Sequence, residues 1–308
     1  DTTLALDDKV CEDMKRLKPD CIVADSMAVW GKAIAIKLGI PFVSSTTTFA
    51  FNQHSAKIMK QGIGELVRML ISMPKITKNI KRLQDKGYPI KSVLDIIQND
   101  DNTHTIVYTS SDFQPCADTF SDKYVFVGPS IRPATDKIVK TKEKLIYISM
   151  GTVNNDMMPL YKTCITTLAD TEYQVIISVG NLVSINEFGK MPENISVYEH
   201  VDQIAVLQAA DIFLSHCGMN SVNESLYFGV PLLMLPQTAE QGGVAERVHQ
   251  LGAGIKLKKT DRISIQNAIN KLLLVGSYKE NAMKISCSFK HCSGSKGAAD
   301  KIEQVCRK

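Results

Sequence analysis

The sequence predicts an α/β fold with two successive parallel sheets, and three observations carry that prediction. Apolar runs of about four to six residues alternate with stretches of helical periodicity along the 308-residue chain, the pattern of strands covered on both faces by connecting helices. Glycine and proline fall where helices should stop and turns begin, as at Gly39, Gly128-Pro129 and Gly151. A dense set of polar side chains, from His216 to Glu224, directly follows one apolar run. That is where an open parallel sheet places a ligand, at the carboxyl end of a strand.

Taken in order, residues 6–17 have helical spacing, Cys21-Ile22-Val23-Ala24 reads as a strand, 30–38 as a helix stopped by Gly39, and Pro41-Phe42-Val43-Ser44 as the next strand. Residues 49–99 read as helical and less regular. Strands at 105–108 and 124–127 close a first domain over residues 1–133, and Gly128-Pro129 with 132–136 supplies the turn chemistry of a linker. A second domain over 134–290 opens with the strand 145–149, turns at Gly151 and continues into a helix at 159–169. Further strands follow at 174–179, 195–198, 211–214, 232–235 and 254–257. With their helices, the six strands make a complete Rossmann-like half. The helix after 211–214 spans 221–228 and turns Val222, Ser225 and Leu226 inward; a last helix ends the segment 291–308.

Composition narrows the function classes. An apolar fraction of 44% with 22% charged residues is ordinary for a globular chain. No apolar run reaches the length of a membrane span, and Asp1-Thr2-Thr3 does not open a signal segment, so the expectation is a cytoplasmic protein without membrane insertion. A net charge of +4 with scattered lysines does not suit a nucleic-acid partner, and the basic tract 75–82 reads as a solvated helix face. The eight cysteines lack the paired spacing of a zinc or redox motif and read as reduced thiols, Cys217 among them as a small buried group.

The polar passage carries the chemistry. His216, Asn220 and Ser221 can donate to phosphate oxygens, and Gly218 admits close backbone approach. The following helix offers unpaired N–H groups to an anion, and Glu224, one turn on, can accept from two neighbouring ribose hydroxyls. That order of groups suits a nucleotide sugar. Met150-Gly151-Thr152 is a second phosphate candidate, with a plain strand-to-helix turn as its alternative. For His216 the alternative is a histidine that caps its strand, and for Asp25 an ordinary helix N-cap. Glu240 and Gln241 follow the rigid Pro236 and make good partners for sugar diols, or else an exposed loop pair.

The run from Val201-Asp202-Gln203 through His216-Cys217-Gly218-Met219-Asn220-Ser221, Glu224, Gly229-Val230-Pro231 and Glu240-Gln241 resembles the donor signature of the UDP-glycosyltransferase family, above all its bacterial macrolide-type members. Tyr108 to Pro115, Phe126 to Ser130 and Ile148 to Thr152 are similar to that family as well. The resemblance implies a GT-B fold of two Rossmann-like domains facing across a cleft, with the last helix returning to the first domain. It implies inverting transfer of a hexose, glucose foremost, from UDP to a hydroxyl of a small hydrophobic acceptor, with no metal or cofactor beyond the donor itself. It places Val201 at the uracil through its backbone and Gln203 near base or ribose. Thr152, His216, Asn220 and Ser221 fall at the diphosphate, Glu224 at the ribose, and Glu240 with Gln241 at the transferred sugar. The aromatic platform that plant members use for the base falls here on His200.

The resemblance also assigns Asp25 to a catalytic dyad whose histidine lies after an earlier strand. No such strand or histidine precedes Asp25, so the first domain reads as incomplete, short by on the order of 80 residues at about 30 per βα step. His54 is the one substitute base the sequence offers. The alternative to an enzyme is therefore a module that binds UDP or UDP-sugar without turnover. Residues 49–99 are expected to shape the acceptor pocket, with Met59, Leu66, Val67, Leu70 and Met73 either its apolar wall or plain core.

Overall fold

The structure, a computed structural model, describes residues 2–55, 63–92 and 103–307. The chain divides into two compact units, Asp1–Ser130 with Cys292–Lys308, and Ile131–His291. The acceptor-wall candidates Met59, Leu66, Val67, Leu70 and Met73 fall outside the described residues and side chains.

In the first unit the elements run α1 (Thr2–Leu17), β1 (Ile22–Asp25), α2 (Val29–Leu38), β2 (Phe42–Thr46), α3 (Ile63–Asp85), β3 (His104–Val107) and β4 (Tyr124–Phe126). The strands form a parallel sheet in the order β1-β2-β3-β4, with Asp25 beside Ser45 at the carboxyl end of β1. The final helix, Gly294–Cys306, packs Ala298, Ile302 and Val305 on Val43, Ile106 and Val127 of the same unit. Lys75, Lys78, Lys81 and Arg82 are exposed, as expected of a solvated face.

Helix α1 starts four residues before the expected position, and its packing gives the reason. Its buried side chains are Thr3, Asp7 and Cys11, a stripe at helical spacing that includes a hydroxyl and a carboxylate, so hydropathy alone does not reveal it. Asp7 accepts from the Tyr88 hydroxyl at 2.6 Å, from Lys37 at 2.7 Å and from the Cys11 thiol at 3.3 Å. Lys86 approaches its other oxygen at 3.1 Å. Burial by itself would raise the Asp7 pKa, but Lys37, Tyr88, Cys11 and Lys86 outweigh it and hold the carboxyl well below the usual carboxylate range. A depressed acid stabilises the fold at pH values above its unfolded pKa of about 3.9, and the contribution fades as pH falls below that. We predict that Asp7→Asn lowers stability by about 2–3 kcal/mol at pH 7 and that the gap to wild type narrows as pH drops below about 4, measured by denaturant unfolding.

The second unit comprises β5 (Lys144–Ser149), α4 (Met158–Leu168), β6 (Tyr173–Ser178), β7 (Ile195–Tyr198), α5 (Gln203–Ala209), β8 (Ile212–Ser215) and α6 (Met219–Tyr227). It continues with β9 (Leu232–Met234), α7 (Ala239–Gln250), β10 (Gly254–Lys256), α8 (Arg262–Leu274) and α9 (Ser277–Lys290); the helix Gly294–Cys306 is α10. All six strands are parallel, in the order β10-β9-β8-β5-β6-β7. Both faces are covered: Ile146, Ile148, Val175, Ile177, Ile212 and Leu214 on one face pack with Leu160, Ile265 and Ile269 of the helices, and the alternate residues Leu145, Tyr147, Ile176 and Phe213 on the other face are buried too. The chain leaves β5 toward β6 and returns on the other side of β5 as β8. The two strands share an edge while their following loops diverge, which opens a crevice at their carboxyl ends.

Candidate functional site

Three loops meet the mouth of this second sheet. The turn after β5 holds Gly151 at φ +84°, a backbone conformation that favours glycine. The loop after β8 holds His216, Cys217 and Gly218, and Leu235-Pro236-Gln237 follows β9, with the Leu235 N–H bonded to the Ser215 carbonyl at 2.9 Å. The His216 ring occupies the space between two glycines. A β-carbon on Gly151 would lie 2.6 Å from its Cε1, and one on Gly218 would lie 2.6 Å from its Nε2.

Cys217, buried, takes φ +68°, rare for any residue but glycine, and its N–H reaches the Ser215 hydroxyl at 3.1 Å. Strained backbone of this kind concentrates at functional sites, where it aims neighbouring groups. Burial pushes the Cys217 thiol up to about 12, so it is an inert packing group. Burial lowers the His216 pKa, which leaves the ring neutral at neutral pH, and its Nδ1 is buried without a hydrogen-bond partner among the described residues.

Helix α6 begins at Met219, two residues before the expected start. Its N-cap is Gly218, with no side-chain cap. The N–H groups of its first turn are the orphan donors of any helix N-terminus, backed by the positive end of the helix dipole. Asn220 and Ser221 therefore lie in that first turn rather than ahead of it. Val222, Ser225 and Leu226 are fully buried, as the periodicity predicts, and fix the helix against the sheet.

Glu224 lies one turn further along. Its Oε2 accepts from Gln203 Nε2 at 2.5 Å, and the same amide nitrogen lies 3.3 Å from the Ser221 hydroxyl. The Tyr147 hydroxyl donates to Gln203 Oε1 at 3.2 Å, and the Tyr147 ring stacks on Phe213 at 4.6 Å between centroids. Burial raises the Glu224 pKa and the Gln203 hydrogen bond partly offsets it. Gln203, Ser221 and Glu224, separated by up to 21 residues, thus form one polar cluster beside the open first turn of α6.

Neither Asp202 nor Arg132 was among the site residues read from the sequence. Asp202 caps α5 by accepting from Ile204 N at 3.1 Å, and it also accepts from Arg132, from the Thr135 N–H and hydroxyl, and from the Asp136 N–H. An aspartate immediately before a helix is a recognisable cap signal, but the Arg132–Asp136 loop that it gathers has no local mark. Val201, half-buried, precedes this cap directly.

Thr152 is exposed on the rim. Glu240 is exposed in the first turn of α7, whose N-terminus is a capping box: Gln241 N donates to Thr238 Oγ1 at 3.3 Å, and Gln241 Oε1 accepts from the N–H groups of Thr238 and Gln237. That engages the amide oxygen of Gln241 and leaves its NH₂ group to donate. His200 is exposed and 3.6 Å from Glu199.

In the first unit, Asp25 accepts from the Met27 N–H at 2.8 Å and from the Thr47 hydroxyl at 3.1 Å. It is an Asx turn rather than a helix cap, since the N-cap of α2 is Ala28. Met27, next to it, is 78% exposed. His54 is exposed, its N–H held by Asn52 Oδ1, and among the described residues no histidine is hydrogen-bonded to Asp25. Also among the described residues, no three His, Cys, Asp or Glu side chains gather in a way that could hold a metal ion, and no helix is long and apolar enough to cross a membrane.

A family model described as UDP-glucoronosyl and UDP-glucosyl transferase matches residues 136–293. YojK of Bacillus subtilis strain 168, an uncharacterized UDP-glucosyltransferase, is 34% identical over 307 residues, which covers 95% of this chain and 74% of that protein. The chain belongs to this UDP-glycosyltransferase family. The NDP-glycosyltransferase YjiC of Bacillus licheniformis is 32% identical over 294 residues, 93% of this chain and 72% of the relative. Among solved structures, the glycosyltransferase of kitacinnamycin superposes with a TM-score of 0.84 at 26% identity, over 95% of this chain and 77% of that one. The calicheamicin glycosyltransferase CalG4 superposes at 0.83 with 23% identity over 98% and 79%, a likeness of fold. The fold of this UDP-glycosyltransferase is thus that of GT-B enzymes, with two Rossmann-like domains of parallel sheet. It is a glycosyltransferase of a family that binds nucleotide-sugar donors and small acceptors, and its matched region contains the whole polar mouth from Val201 to Gln241.

Proposed function

We propose that this glycosyltransferase moves a hexose, glucose foremost, from UDP to a hydroxyl of a small hydrophobic acceptor, with inversion at the anomeric carbon. The observation that carries the reading is the pairing of a half-buried carboxylate cluster, Gln203–Ser221–Glu224, with the uncapped first turn of α6 one helical turn away. A ribose diol on Glu224 sets a 5′-diphosphate against that turn, where Asn220, Ser221, neutral His216 and Thr152 converge as donors. Val201 meets the base through its backbone, and Gln203 lies near base or ribose. Glu240 accepts from hydroxyls of the transferred sugar, and the NH₂ group of Gln241 donates to them.

The acceptor oxygen attacks the anomeric carbon as the bond to the diphosphate oxygen breaks, so negative charge grows on UDP. Donors already in place for that charge make the leaving group good without a metal or other cofactor. The acceptor proton passes to a base: the family resemblance gives that role to a histidine paired with an aspartate at the position of Asp25, and His54 is the one substitute the sequence offers. A second reading has a specific motive: among the described residues no histidine is hydrogen-bonded to Asp25, which suits a chain that binds UDP-sugar without turning it over.

Calorimetric titration of the full chain with UDP, followed by product analysis with UDP-glucose and a panel of phenolic acceptors, separates the two. Binding with glucoside formation is the expected result. Binding without product selects the second reading, and no association with UDP removes both.

A further inference from the structure

Asn155 lies four residues beyond Gly151 and is completely buried. Its Nδ2 donates to the Gly151 carbonyl at 3.1 Å, while its Oδ1 is buried without a hydrogen-bond partner among the described residues. Its own carbonyl is held from two sides, by the Met157 N–H at 2.8 Å and the Tyr161 hydroxyl at 3.4 Å. The side chain lies across Gly180, which follows β6. A β-carbon there would stand 1.8 Å from Asn155 Nδ2, and Gly180 takes φ +73°. The fold thus gives up a side chain at one strand end to place an amide under the turn that follows another.

A buried amide with half its hydrogen-bonding capacity unused is a poor choice for stability alone. From the geometry we infer that Asn155 is a positioning residue for the donor diphosphate: by gripping the Gly151 carbonyl it turns the Thr152 N–H toward the ligand. Among the described residues there are no cis peptide bonds, and in a trans peptide the Gly151 carbonyl and the Thr152 N–H point in opposite directions. Asn155 draws the carbonyl into the interior, so the N–H faces the exposed side, where Thr152 lies. Gly151 at φ +84° has the freedom to let this peptide turn over, and the Asn155 hydrogen bond removes that freedom. The His216 ring packs against the same glycine, so the side chain and the backbone donor share one support.

This inference rests on the donor reading above, and its test separates the two. UDP and uridine are titrated against the full chain, UDP by calorimetry and uridine by ligand-observed NMR. Asn155→Ala is expected to raise the Kd for UDP about tenfold, the worth of one charge-assisted hydrogen bond, and to leave that for uridine within about twofold. Thr152→Pro, on the exposed rim, deletes the N–H while Asn155 stays intact, and is expected to reproduce the loss even if Asn155→Ala does not fold. Unchanged UDP affinity in either variant overturns the inference, as does a parallel loss of UDP and uridine. A wild-type chain that binds no UDP defeats the donor reading itself.

Discussion

Replacing Glu224 by alanine is expected to weaken UDP binding by about 10- to 100-fold, the equivalent of losing about 1.5–3 kcal/mol of hydrogen bonding to a charged group. The carboxylate faces Gln203 at 2.5 Å and is half-buried, so its second oxygen accepts in surroundings where water competes poorly. The substitution removes the ribose acceptor and also leaves the Gln203 amide, fixed on its other side by Tyr147, without its strongest partner. Glu224→Gln keeps the shape and one acceptor, and is expected to fall between wild type and alanine. Because burial raises the Glu224 pKa, the carboxylate takes up its proton at a higher pH than an exposed glutamate, so its share of the UDP affinity should be lost on acidification at a higher pH than an exposed glutamate would lose it. The measurement is calorimetric titration with UDP and with 2′-deoxy-UDP. With the 2′-hydroxyl gone, the penalty for Glu224→Ala should shrink, since half of the diol it serves is missing. An alanine variant that binds UDP as tightly as wild type removes Glu224 from the ribose.

What the sequence made legible follows the range of the signal. The strands at the mouth, β5 and β8, are runs of apolar residues whose identity is local, and the structure places them within a residue or two of the expected bounds. The glycine in αL conformation after β5 and the polar passage after β8 are equally local. Hydropathy shortens helix α1 because a carboxylate and a hydroxyl occupy its buried stripe, which only the long-range partners Lys37 and Tyr88 explain. Helix α6 starts two residues before its sequence signal because a bare glycine serves as its cap and carries no side-chain oxygen to announce it. Asn155 was invisible for a similar reason. Its meaning depends on Gly180, on another strand, and on a carbonyl four residues back. The capping box on α7 is local, since Thr238 and Gln241 have the required spacing, and it gives Gln241 a backbone role beside the sugar contact its side chain suggests.

The second large effect separates two glycines with the same neighbour. Gly218→Ala adds a β-carbon that would lie 2.6 Å from His216 Nε2, but at φ −59° the backbone accepts an L side chain without strain. Gly151→Ala adds one 2.6 Å from His216 Cε1 and also forces alanine into the left-handed region, at about 1–2 kcal/mol. Both substitutions must push the ring from its place, and a displacement near 1 Å at a reacting centre can cost about 10²-fold in rate. Gly151→Ala is therefore expected to lower kcat/KM by at least about 100-fold and to lower Tm, while Gly218→Ala gives a comparable loss of rate with little change in Tm. The decisive comparison is in a His216→Ala background, where there is no ring to displace. There Gly218→Ala should have almost no further effect on UDP affinity, and Gly151→Ala should retain only its backbone penalty. If each glycine substitution costs as much without His216 as with it, the ring is a bystander and the phosphate contacts belong to the backbone alone.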